Sequence, residues 1–150
     1  MASDKQPMLR AAIAAVRGCA DTMEAQAASL LQSLSMVAIS EELRANAQEL
    51  TEGLRDAAGR VTFELALLQA ELADEQAEAT TAVKRLSTMD ATMMAAVAAL
   101  TDVVDQLEEA AERDEQHEPA FVLAIEATGI LLKAIEKARA ATEAAGAPVP

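Results

Sequence analysis

The chain is predicted to be all-α, an antiparallel four-helix bundle in one domain. Three observations carry this. About a quarter of its 150 residues are alanine, with no Trp or Tyr and only Phe63 and Phe121 as aromatics; Ala, Leu, Glu and Gln favour helix, and no stretch alternates with period two. Apolar residues recur in steps of three and four over most of the length. The periodic segments are separated by short polar stretches of the size that joins antiparallel neighbours. At this length a chain buries about two-thirds of its unfolded surface, so a core needs no staples.

The first helix is read from about Pro7 to Ile39. Leu9, Ile13, Val16, Ala20, Met23, Ala27, Leu30, Leu34 and Val37 follow steps of 4-3-4-3-4-3-4-3, a heptad seam on one helix stripe. Pro7 fits a first helical position, where its missing N–H costs nothing. Ser40-Glu41-Glu42 offers an N-cap with acid in the first turn, so a turn is expected near Val37 to Ser40.

The second helix carries Leu43, Ala47, Leu50, Leu54, Ala58, Val61, Leu65, Leu68 and Leu72, with Phe63 and Leu67 expected to widen its apolar face. Gly53 and Gly59 lie inside the pattern and allow either close contact or bending. Ala73 to Ala82 has no large apolar residue. It reads as a turn or as solvated helix, with a further candidate cap at Ser87 to Asp90. The third helix shows Met89, Met93, Val97, Leu100, Val104, Leu107 and Ala111, ending near Arg113. If helices two and three ran on unbroken, three long helices would expose apolar seam and demand an oligomer.

Asp114 to Glu118 is a polar link ahead of Pro119. Ala120 to Ile135 is the most apolar run in the chain, interrupted only by Glu126, Thr128 and Lys133. A helix is expected from Pro119 to Ala145, with Gly146 and Pro148 as the stop. Its first half is apolar on nearly all sides and should be surrounded by neighbours. Residues 1–6 and 146–150 are expected to be flexible tails.

The formal net charge is −13. Such a charge opposes nucleic acid and anionic membranes and suits a basic protein partner. Glu41 to Glu78 holds ten acidic and three basic residues, and Asp102 to Glu118 eight and one. These runs read as solvated outer faces; none has calcium-loop spacing. The first and fourth helices are nearly balanced in charge, which suggests that they lie inside or face a partner.

No apolar run reaches the ~18 residues of a membrane span. The start, MASDKQPMLR, lacks the basic and apolar regions of a signal peptide. A cytoplasmic location is expected, export without a cleavable signal being the other route. Val16-Arg17-Gly18-Cys19 is a poor lipoprotein site because of Arg17.

Site chemistry is sparse. A di-iron bundle needs Glu-x-x-His pairs, whereas the single histidine, His117, stands three residues after Asp114 in a turn. Cys19 sits beside the seam, with no histidine spaced to activate it, and reads as a small buried thiol. The glycines are isolated, so no phosphate loop is present. Met89, Met93 and Met94 form a soft cluster that reads as core filling. No catalytic residue, cofactor or metal is expected.

The functional expectation is a non-catalytic bundle acting through protein–protein contacts, with self-association as a homo-oligomer. Candidate packing or partner-interface residues are Leu9, Ile13, Val16, Met23, Leu30, Leu34 and Val37 on the first helix. On the second they are Leu43, Leu50, Leu54, Val61, Leu65, Leu68 and Leu72. In composition alone the chain resembles phasin-like granule coats, secretion-system substrates and scaffolding bundles. The first of these implies the alternative, an amphipathic coat on a neutral hydrophobic surface.

Overall fold

The computed structural model describes residues 2–37, 39–73 and 78–146. Four α-helices follow one another: α1 (Ala2–Leu34), α2 (Glu41–Ala73), α3 (Ala79–Arg113) and α4 (Glu118–Gly146). A 3-10 turn, Glu115–His117, joins the last two. At 1.5 Å per residue the helices are ~44–53 Å long. Leu9 and Arg17 share a cleft with Gln69 and Leu72, and Asn46 and Gln106 hydrogen-bond. Gly146 lies against Val83. Each pairing sets one helix's start against its neighbour's end, the mark of antiparallel packing. Helices two and three are separate.

The cross-section is a rhombus. α1 touches α2, α3 and α4, α3 touches all the others, and α2 and α4 do not meet among the described residues. The inner pair is therefore α1 and α3, not α1 and α4 as charge balance suggests. The most extensive contact is between α1 and α4.

The α1 seam lies in the core. Leu9, Ile13, Val16, Ala20, Met23, Ala27, Leu30 and Leu34 are all buried, joined by Ala12 and Cys19. Val37 falls past the end of the helix and is half-buried against the core. From α2, Ala47, Leu50, Leu54, Ala58, Val61, Leu65 and Leu68 are buried, while Leu43 and Leu72 are half-buried at its two ends. Met23, Met89 and Met93 fill the middle. Near the end of α3, Leu107 is buried as expected, and Val103 is buried with Val104 half-buried beside it.

The α1–α2 turn closes by capping. Ser40 Oγ accepts from Leu43 N at 3.2 Å. Arg44 donates to the carbonyls of Leu34 and Val37 at 3.2 and 3.3 Å, satisfying acceptors that the end of α1 leaves unpaired. Asp114 closes the other link: its N–H donates to Ala110 O, and its side chain accepts from Gln116 N at 3.0 Å.

Several boundaries differ from expectation. α1 begins at Ala2, so Pro7 lies inside it and residues 2–6 are helix rather than tail. The expected C-terminal tail lies outside the described residues except for Gly146, which ends α4. α3 begins at Ala79, so the candidate cap at Ser87 to Asp90 is mid-helix; its actual N-cap, Glu78, makes no side-chain capping bond. Phe63 and Leu67 do not widen the buried face of α2: they are 65% and 45% exposed. Gly53 and Gly59 also face open space, so neither marks a close approach.

Candidate functional site

The interface residues expected from the sequence are brought together, but within one chain. The α1 and α2 seams pack against each other and against α3 and α4. They are helix-packing residues, and none of those buried is offered to another molecule. The surface left for a partner is made of residues that the seams do not include.

That surface is clearest on α4. Its buried positions are Ala120, Ala124, Ala127, Leu131, Ile135, Ala138, Thr142 and Ala145, mostly small residues. Small side chains let α4 lie close to α1 and α3. The larger Val122, Ile125 and Ile130 consequently point outward, 44%, 45% and 45% exposed. The most apolar helix is thus covered by its neighbours on its alanine side and left open on a side rich in β-branched residues. This corrects the expectation that neighbours surround it. Glu126, Gly129, Lys133 and Lys137 share the open face. A smaller apolar patch, Phe63 and Leu67, stands one helical turn apart on α2.

One polar cluster interrupts the core. Asp90 on α3 is buried, and its Oδ2 accepts from Arg139 Nε of α4 at 3.1 Å. Its Oδ1 has no partner among the described residues. The pair joins α3 to α4, with Asp90 buried and the Arg139 side chain half exposed. Beside it Thr142 returns its hydroxyl to Ala138 O at 2.8 Å, an ordinary in-helix bond.

Cys19 of α1 is buried. Burial, aided by the negative charge of Asp90, pushes its thiol from an ordinary 9.0 up to about 11. At neutral pH it is a thiol, not a nucleophilic thiolate. Alkylation in buffer is therefore expected to be at least ~100-fold slower than in denaturant, because reaction needs opening of the fold. The pH dependence has a definite sign. The folded state holds the proton more tightly than the unfolded state, so this contribution is complete below pH 9 and is lost as pH rises toward 11. Subtracting the alkaline melting profile of Cys19→Ala from that of the parent chain isolates this loss; a flat difference between pH 9 and 11 would contradict it.

His117 lies half-buried in the α3–α4 link, its Nδ1 3.3 Å from Asp114 O. Among the described residues no three His, Cys, Asp or Glu side chains converge as metal ligands do. No helix among them is long and apolar enough to cross a membrane. The acidic runs of α2 and α3 stand largely in solvent. Compared with protein-family models, curated proteins and solved structures, the chain matches none of them.

Proposed function

We propose that this chain is a non-catalytic helical-bundle protein that works through protein–protein contacts and associates with itself. The observation that supports this reading is the outward apolar face of α4. Three β-branched side chains, Val122, Ile125 and Ile130, stand largely in water while mostly alanines fill the buried side of the helix. Large apolar side chains left exposed on one helix face, with charges among them, suit a contact site. The net charge of −13 adds a preference for a basic protein among other partners.

Absolute mass by light scattering after size exclusion, at two concentrations, tests the reading. Refractive index must serve for detection, because the chain has no Trp or Tyr. A multiple of 15.7 kDa that persists or grows with concentration is expected. A single-chain mass at both concentrations would remove self-association and leave only a different protein as partner.

The alternative, a coat on a neutral hydrophobic surface, draws on the same exposed side chains. Its larger amphipathic faces are turned inward, so it requires the bundle to open. Binding to zwitterionic vesicles or oil droplets with loss of the cooperative melt would favour it over the first reading.

A further inference from the structure

We propose that α4 is the self-association surface, and that two copies pair antiparallel through it across a two-fold axis beside Gly129. The inference rests on the self-association proposed above and specifies its geometry.

A two-fold contact is self-complementary: each surface must accept its own image. In an antiparallel helix pair the residues equally far before and after the axis meet on the same flank. With the axis between Gly129 and Ile130, Glu126 lies about 5 Å along the helix on one side and Lys133 about 5 Å on the other. At 100° per residue the two project from the same flank of the outward face. Glu126 of each copy therefore meets Lys133 of the other, twice per dimer. Both residues are exposed, and neither makes an ion pair within its own chain among the described residues.

The apolar groups fit the same operation. Gly129 sits at the centre of the open face, and a Cβ built there meets nothing within 4 Å. Two glycines at a crossing let the helix backbones approach closely. Ile130, one residue on and 100° round the helix, lies at the rim of the contact on the flank of Glu126 and Lys133. Ile125 is set toward the half-buried Leu132 of the second copy, and Val122 toward the aliphatic stem of Lys137. Between Glu118 and Ala138 the exposed charges are acidic before the axis (Glu118, Glu126) and net basic after it (Lys133 and Lys137 against Glu136), which favours the antiparallel over the parallel arrangement. That reciprocal charge pattern selects a second copy as occupant.

The test compares the parent chain with Glu126→Lys, Lys133→Glu, the double exchange and Gly129→Leu, by sedimentation equilibrium. Each single reversal places like charges opposite one another at two symmetric points and is expected to weaken the dimer about tenfold or more. The double exchange restores the pairing and should bring the dissociation constant back to within about threefold of the parent. Gly129→Leu leaves the helical signal intact, since the site is open in the single chain, and weakens the dimer by blocking the close approach. A dimer indifferent to all four variants would overturn the α4 geometry while leaving self-association standing. A chain that is monomeric throughout would overturn both.

Discussion

Replacing Leu30 with Asp should unfold the bundle at neutral pH. Leu30 is 4% exposed and occupies the seventh position of the α1 seam. Loss of its apolar burial costs about 2–3 kcal/mol. The introduced carboxylate must then either ionise in an apolar setting or be held neutral against its ordinary pKa, and several kcal/mol more are lost. A bundle of this size is stable by about 5–15 kcal/mol, so the sum approaches the whole. The expected result is loss of most ellipticity at 222 nm, or a melting transition lowered by tens of degrees and broadened. Ser29→Asp, one residue away on the exposed side, is the matched control and should change stability by no more than about 0.5 kcal/mol. An unchanged melt and an unchanged mass for Leu30→Asp would mean that the seam is not the interior.

The seam can be assigned in advance because its signal is local. A stripe with a mean spacing of about 3.5–3.6 residues has one side to bury, and in α1 and α2 that side is filled mostly by large residues with polar ones opposite. Helix termini carry a weaker local signal. Ser87 to Asp90 look like a cap in the sequence, yet the Thr88 hydroxyl donates to the carbonyl of Lys84, four residues back inside α3. The actual start, at Glu78, has no side-chain cap and so leaves no mark. Closure of α1 depends on Arg44, which reaches back ten residues to Leu34, a contact visible only once α2 is folded against α1. Asp90 and Arg139 are 49 residues apart, and no local pattern links them. The outward α4 face was hidden for a different reason. A segment apolar on every side has no periodicity to orient it, and close approach to α1 and α3 selected the alanines, not the bulkier side chains, for the interior.

That orientation makes a sharp prediction at two adjacent positions. Leu131 is fully buried and is one of the few large residues on the inward side of α4. Truncating it to alanine removes three carbons from a fully buried position and leaves a cavity that the surrounding helices fill only in part. The cost is therefore expected in the range of about 2–5 kcal/mol, with a lowered denaturant midpoint. Ile130, one residue away and equally apolar, is 45% exposed. Measured below the dimer dissociation constant, where each chain stands alone, Ile130→Ala should cost no more than about 0.5 kcal/mol, since little burial is lost and alanine is the better helix former. Hydropathy ranks the two residues as equals, so only the packing of α4 separates them. Urea melts of both variants decide the matter. Equal losses would mean that α4 is rotated from the orientation described, with its β-branched side chains inside; a loss confined to Leu131 fixes the alanine face against α1 and α3 and leaves Ile130 free for a second molecule.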